Sequence, residues 1–443
     1  MTRAQWGTLI ATILGSGVVF LDSTVINLAL PALSKEFGAT FADLQWVVDG
    51  YMLSLASLIL ISGSLGDIFG RKKMYVTGLI VFGITSLLCG FAPNVATLIV
   101  MRIAQGVAAA LIVPEGLAII NTNFPDDKRS VAIGRWAAWS GIATILGPLI
   151  GGYLIQTVTW RWIFFINVPI VAVCLWLGIL NIQESRDDRP RTIDYLGGLL
   201  TIGYLALITY GLIEGPAMHW NMATAGSIIS GIILFAFFIA LEARKSDPMV
   251  NLRLFASRNF SGANIMTFAM YGALAGFFFL LIIFLQQSAG YTSIEAGLST
   301  IPATILLLLF SGRMGVYTEK YGPRMFMTLG PIISGLGILT LVNLPHASNY
   351  LFNVLPGVLL FGIGLTLFVT PLTATVMSSV SRQDSGIASG INNAVSRAAG
   401  LIVVALLGLF GAENAYVFGT LLCAGLAVFA GVASFILIRN KTI

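Results

Sequence analysis

Residues 63–73 read Gly63-Ser64-Leu65-Gly66-Asp67-Ile68-Phe69-Gly70-Arg71-Lys72-Lys73, between apolar runs at 44–66 and 74–92 that are each long enough to cross hydrocarbon. Gly63 and Gly70 allow a tight turn and close helix approach. Asp67 can accept hydrogen bonds from Arg71 or from an exposed helix N-terminus. An anchor on the positively charged side of a membrane explains Arg71, Lys72 and Lys73, but not Asp67 or the glycines. The spacing of Gly63, Asp67, Gly70 and Lys72 returns at Gly315, Glu319, Gly322 and Arg324, so the chain carries an internal repeat.

Outward from that loop, almost everything is apolar. The chain has 443 residues, 57% hydrophobic and 10% charged, with a mean hydropathy of +0.91; a soluble domain carries about 25% charge. That composition excludes a cytosolic enzyme, a secreted domain and a disordered regulator. Segments long enough to span lie at 6–33, 44–66, 74–92, 95–121, 131–157, 160–181, 194–214, 222–242, 259–286, 296–316, 324–344, 349–376, 385–411 and 414–438. Fourteen crossings place both termini on one side. Arg71, Lys72, Lys73, Lys128, Arg129, Arg186, Arg189, Arg191, Arg244, Lys245, Arg253, Arg258, Arg313, Lys320, Arg324, Arg382, Arg439 and Lys441 fall in alternate loops or the C-terminal tail, against Lys35 and Arg161 opposite. The bias makes the termini cytoplasmic. Eight spans separate the two copies of the loop. The expected plan is therefore an all-α integral membrane fold with a six-helix half at 1–182, two inserted helices with flanking segments at 183–250, and a six-helix half at 251–443. Parallel halves related by an axis along the membrane normal are a known secondary-transporter plan.

No polar segment has room for a nucleotide-binding or catalytic domain, and residues 66–73 lack the phosphate-loop spacing. His219 and His346 fall in loops on the external side, and no cluster offers a metal site. Cys89, Cys174 and Cys423 are single residues in apolar runs, read as small core residues. The net charge of +5 is spread between spans, which argues against nucleic acid. The first apolar run is too long for a cleavable signal. We expect neither an enzyme nor a cofactor.

Several motifs then occur in order. Leu21-Asp22-Ser23-Thr24-Val25-Ile26-Asn27-Leu28-Ala29-Leu30-Pro31 closes the first span. The loop at 63–72 follows, then Arg102-Ile103-Ala104-Gln105-Gly106, Gly147-Pro148-Leu149-Ile150-Gly151-Gly152, Trp160-Arg161-Trp162-Ile163-Phe164-Phe165-Ile166-Asn167-Val168-Pro169, and Gln286 with Gly290-Tyr291 and Ala296-Gly297. Over essentially the whole chain this set resembles the major facilitator superfamily, and within it the fourteen-span drug:proton antiporter branch. Ile68 departs from the arginine usual in the loop motif.

The resemblance implies a major facilitator fold and multidrug efflux by alternating access, driven by the proton gradient across the cell membrane. It makes Gly63, Asp67, Gly70, Arg71 and Lys72 a conformational latch on the cytoplasmic side. In the fifth span Ala143, Gly147 and Gly151 leave one nearly flat face, and Pro148 removes a backbone donor. Ordinary tight packing is one reading of that face. The other, favoured by the antiporter motif with Gly152, is a close contact between halves that seals the pathway.

Charges inside a membrane are costly and point to function. At 1.5 Å per residue, Asp22 and Arg102 lie at similar depth in the outer half, where they can pair. Protonation of Asp22 would weaken that pairing and couple proton uptake to the conformational cycle; a permanent structural pair is the alternative. Asp49 is either a cation-attracting group or a wet interfacial one. Glu115, where a small residue is expected, either binds a cation or second proton or snorkels to the interface. Asn27, Gln105, Gln286, Asn392, Asn393 and Arg397 are candidate cavity-lining polar groups, Arg397 alternatively pairing with backbone carbonyls.

The expected substrates are lipophilic or cationic small molecules, and the expected partners are protons and lipid, with the chain a monomer and a periplasmic adaptor joining it in a two-membrane envelope. Export of one endogenous metabolite, peptide or lipid, and a non-transporting receptor or assembly role, are the competing readings.

Overall fold

The computed structural model describes residues 1–186, 193–245, 248–345, 348–381 and 385–440. Arg189, Arg191, His346, Arg382 and Lys441 lie outside the described residues. The described residues form α-helices and short 3-10 or π turns, with no strand. The helices are α1 (Arg3–Phe37), α2 (Phe41–Phe69), α3 (Arg71–Gly90), α4 (Val95–Asn123), α5 (Asp126–Thr157), α6 (Trp162–Phe165), α7 (Asn167–Asn181), α8 (Tyr195–Ala217) and α9 (Met222–Glu242). They continue with α10 (Arg258–Gln287), α11 (Ser293–Ser299), α12 (Ile301–Tyr321), α13 (Pro323–Leu339), α14 (Leu355–Ser378), α15 (Ser385–Leu406) and α16 (Gly411–Leu437).

Their ends follow from local chemistry. Thr2 with Gln5 and Thr40 with Asp43 form capping boxes at the starts of α1 and α2. Asn94 caps α4 and Asn221 caps α9. Gly38, at φ 63°, stops α1 in the left-handed conformation that glycine adopts without a Cβ penalty. Apolar segments 160–181 and 296–316, read as single runs, are each two helices: α6 and α7 meet at Ile166, and α11 and α12 at Thr300, beside Pro302.

Among the described residues, twelve helical spans are long and apolar enough to cross a membrane, with α6–α7 and α11–α12 each counted as one span. The apolar α13 is shorter, at 17 residues, and the 32-residue α5 is not among the twelve. The count of fourteen read from the sequence adds those two helices.

The chain divides into two compact units, residues 1–205 with 292–294, and residues 206–291 with 295–443. In the first, α1 packs on α4, α5 and α7, while α3 packs on α4 and α7 and α2 packs on α4. In the second, α10 packs on α15 and α16, α13 on α14 and α16, and α12 on α14. Replacing α1, α2, α3, α4, α5 and α7 by α10, α12, α13, α14, α15 and α16 maps most of the first list onto the second. The repeat visible in two loops therefore extends to the helix partners. Within the second unit, the later part of α8 packs on α9 where Gly211 meets Thr224, Ser227 and Ile228. One face of α9 carries the exposed apolar side chains Ile229, Ile232, Ile233 and Phe237.

With no hydrophobic drive between helices in lipid, small residues decide these contacts. On α4, a Cβ at Gly106 would overlap Ser54 Oγ and the Tyr51 carbonyl on α2. In the second unit a Cβ at Gly364 would overlap Ser334 and the Gly330 carbonyl of α13. At Gly312 on α12 a Cβ would meet nothing within 4 Å. Gly106→Ala is therefore expected to lower stability by about 1–3 kcal/mol through overpacking, whereas Gly312→Ala should be neutral or slightly stabilising, as read by thermal unfolding of the purified chain in detergent.

Candidate functional site

Asp22 and Arg102 are 2% and 0% exposed, and they form an ion pair between Oδ2 and Nη1. The common depth expected from counting residues is what the structure has. The pair is embedded in a polar network with side chains from α1, α3, α4 and α7 and backbone carbonyls from α2 and α6. Arg102 Nη1 also donates to Gln105 Oε1 at 2.7 Å, and Nε donates to the Val47 carbonyl of α2 at 3.2 Å. Gln105 Nε2 donates to Asp22 Oδ1 at 3.1 Å, and Asn167 Nδ2 donates to the same oxygen at 2.9 Å. Asn167 Nδ2 also reaches Ser86 Oγ at 2.9 Å, and that hydroxyl donates to the Phe164 carbonyl at 3.0 Å. The guanidinium lies 4.3 Å from the Tyr51 ring centroid, a cation–π contact strengthened by the dry surroundings.

Each member arrives for a local reason. Arg102 and Gln105 are three apart and share a face of α4. Asn167 is the first residue of α7, set there by the break at Ile166, so its amide points back into the bundle. Asn167 and Ser86 were missed as site residues, although Asn167 stands in a quoted motif. The available signal was a buried amide in an apolar span with no role assigned to it. Cys89 touches the network through Gln105 Oε1 at 3.8 Å and is otherwise an ordinary buried thiol.

The arrangement is suited to switching. Ionised Asp22 accepts from three donors, and charge-assisted bonds are the strong ones. If Asp22 takes a proton, Arg102 still has Gln105, the Val47 carbonyl and the Tyr51 face, while the neutral acid still has Asn167. Neither partner is stranded, so the pair can open without the full cost of an unpaired buried charge.

Asp49 is not a wet interfacial group: it is fully buried on α2, and neither carboxylate oxygen has a hydrogen-bond partner. Glu115 does not snorkel. It is 1% exposed, both its oxygens lack a partner, and its carboxyl occupies the space that a Cβ on Gly66 would need.

The loop motif is built differently from its sequence reading. Asp67 pairs with Arg71 at 2.7 Å, as expected. The N-terminus of α3 is instead taken by Glu184, whose carboxylate accepts from the Lys72 and Lys73 amides at 3.0 and 3.2 Å, where an anion is favoured by the helix dipole. Lys72 Nζ donates to the Ile179 carbonyl at 2.7 Å, and the Arg71 amide donates to the Ser185 carbonyl. Gly70, at φ 108°, makes the turn, and a Cβ there would press on Glu184. Gly63 faces open space, so the close approach expected there belongs to Gly66. The second copy repeats the device: Gly322, at φ 79°, precedes α13, and the Asn440 side chain accepts from the Arg324 amide at 3.1 Å. Glu184 and Asn440 were not legible because each lies over a hundred residues from the loop it caps.

The flat face of α5 meets α1 of the same unit. A Cβ at Gly147 would overlap Thr24 Oγ1, and one at Gly151 would come within 2.7 Å of Val25. This corrects the expectation that both glycines seal a contact between halves. Gly152 lies against the backbone of Ser293 and Ile294, and the Ile294 amide donates to Gln156 Oε1 at 3.4 Å. The α5 helix runs through Pro148 without interruption.

In the second unit, Asn392 Nδ2 donates to Thr267 Oγ1 at 2.7 Å and to Asn264 Oδ1 at 3.1 Å, tying α15 to α10. Asn393 is exposed and donates to the Ser389 carbonyl of its own helix. Arg397 is half-buried, within electrostatic reach of the Tyr271 phenol on α10. Gln286 is half-buried near the end of α10, and Asn27 is half-buried on α1 with its side-chain oxygen unpartnered.

The sequence model of the Major Facilitator Superfamily matches residues 12–405 and 263–441. The chain is 36% identical over 410 residues to the multidrug resistance protein Stp of Mycobacterium tuberculosis, covering 92% of this chain and 76% of that one. It is 31% identical to the tetracenomycin C resistance and export protein of Streptomyces glaucescens, with the same coverage. It is 32% identical to the methylenomycin A resistance protein of Bacillus subtilis, over 90% of this chain and 86% of that protein. Among solved structures, a peptide transporter POT in complex with sulfate superposes with a TM-score of 0.75 at 13% identity, over 98% of this chain and 94% of that chain. A bacterial homolog of the human lysosomal transporter Spinster, inward-facing, gives 0.70 at 16% identity, over 99% and 97%. At those identities the likeness is one of fold.

Removing Arg102 leaves Asp22 its hydrogen bonds from Gln105 and Asn167 but takes away its counter-charge. Arg102→Met is expected to cost about 3–5 kcal/mol of stability, and the double change Asp22→Leu with Arg102→Met to recover most of it, as read by thermal unfolding in detergent.

Proposed function

The chain belongs to the major facilitator superfamily, and from that premise we propose that it exports lipophilic and cationic drugs in exchange for protons by alternating access. It is a membrane transport protein and not an enzyme. Relatives that share about a third of its residues are named for resistance to, or export of, antibiotics, which supports small-molecule export. The observation that carries the proton is the Asp22–Arg102 pair: a buried charge pair whose two members each keep partners when the bond between them breaks.

In this reading Asp22 takes a proton from the outer side, the Arg102 bond is released, and the first unit changes its packing in favour of the state that binds drug from the cytoplasm. Deprotonation on the cytoplasmic side restores the pair. The proton gradient is the only energy source, so no cofactor is involved. Asp49, fully buried and unpartnered, is a site where a cationic drug or a proton would recover the cost of burying the acid. Asn27, Gln286, Asn392, Asn393 and Arg397 line the drug path. The proposed topology has fourteen spans, with α5 and α13 joining the twelve. Residues 1–182 and 251–443 form the halves, 183–250 hold the inserted pair, and both termini are cytoplasmic. The chain works as a monomer in the cell membrane, with a periplasmic adaptor only where a second membrane must be crossed.

Proteoliposomes loaded with a pH dye and challenged with lipophilic cations such as ethidium or tetraphenylphosphonium test the proposal. Wild-type protein should show drug-dependent proton movement, and Asp22→Asn should abolish it at unchanged protein content. Equal proton movement in the two proteins would overturn the coupling role of Asp22.

A further inference from the structure

Glu115 is a buried carboxyl that the Asp22–Arg102 network leaves unused. Its side chain projects from α4 onto α2 at the end bearing the loop motif, and its carboxyl fills the gap left by the missing Cβ of Gly66. At 1% exposure, and with neither oxygen accepting a hydrogen bond, it has no donor to stabilise a negative charge. The charged groups near enough to act on it are Asp67 of α2, Arg71 at the start of α3 and Glu184 after α7. Arg71 is already committed to Asp67, and Glu184 to the amides of Lys72 and Lys73. On the α1 side, the neighbours of Gly116 are Ser16 and Thr12, which bring no charge. An ionised carboxylate in such a place is strongly disfavoured, whereas the neutral acid fits the apolar gap.

We propose that Glu115 is a second proton-binding site of the first unit, occupied while α2 and α4 are closed at Gly66 and emptied to cytoplasmic water when that seam parts. The event is one O–H bond: a carboxylate oxygen takes a proton from a hydronium ion in the water leaving the gap on closure, and gives it back to cytoplasmic water on opening. The loop motif is then more than a turn, because Gly66 provides the dry seat for the acid, and Asp67 with Arg71 and Glu184 with α3 hold the seam's end. The use of the released proton rests on the antiport reading; the site itself rests on packing alone.

The test uses the full chain in lipid vesicles. Infrared spectra recorded across a pH series should show a protonated-carboxyl band at neutral pH that is lost in Glu115→Gln. The band should also be lost in Gly66→Ala, where the added Cβ pushes the carboxyl toward water. The three native cysteines are buried, so spin labels at Phe69→Cys and Asn121→Cys report the ends of α2 and α4. Their separation should increase as Glu115 ionises at alkaline pH, and Glu115→Gln should remove that increase. A neutral-pH band unchanged in Glu115→Gln, or the same pH-dependent separation in that variant, overturns the proposal. Drug-dependent proton movement measured in the same vesicles separates the two readings. If wild-type protein shows none while the band behaves as described, proton antiport fails and the Glu115 site stands. Intact exchange with an unmoved band rejects the site alone.

Discussion

A guanidinium with no exposed surface must find its counter-charge and its hydrogen bonds inside the protein: Arg102 finds Asp22 on α1, the Val47 carbonyl on α2 and Gln105 on its own helix, and Asn167 of α7 joins through Asp22. The cost of an unpaired charge among apolar helices makes the registers of α1, α2, α4 and α7 interdependent: sliding any of them by one residue would take away Asp22, the Val47 carbonyl, Gln105 or Asn167. The same bonds that specify the packing leave each member of the Asp22–Arg102 pair with other partners after separation, which is the property the proposed switch requires. A structural ion pair with a single partner on each side would lack that property.

Close packing around the network depends on glycine rather than on apolar bulk. Gly106 lets α4 reach the α2 backbone, Gly147 and Gly151 let α5 reach α1, and Gly66 leaves a seat for Glu115. Gly106, Gly147 and Gly151 were legible as motif residues, but their partners were not. The spacing of Gly147 and Gly151 says that a face is flat, and nothing in that spacing says which helix lies on it. For the same reason Gly63 looked like a close-approach glycine and Gly66 did not, although the structure assigns the contact the other way round.

The repeat is the deepest regularity of the chain, and its sequence trace is slight. Two loops with a shared spacing correspond to two sets of helices with largely the same partners, and to two capping interactions at α3 and α13. In one copy the cap is the carboxylate of Glu184, and in the other it is the amide of Asn440. Helix N-termini accept either group, so the position persists while the residue type does not, and a comparison of letters passes over it.

What the sequence by itself determined is the medium and the elements. The scarcity of charge, the length of the apolar runs and the one-sided lysines and arginines act locally, through transfer of each segment from water to lipid. The pairing of Asp22 with Arg102 was also within reach, because helix rise converts residue number into depth. Tertiary structure alone decided azimuth: which way each side chain faces around its helix, and therefore that Asn167 completes the network, that Asp49 and Glu115 are dry and without donors, and that Glu184 and not Asp67 holds the start of α3. Depth accumulates along one segment and can be counted. Facing depends on the neighbours that a helix meets, and those are set by contacts between residues far apart in the chain.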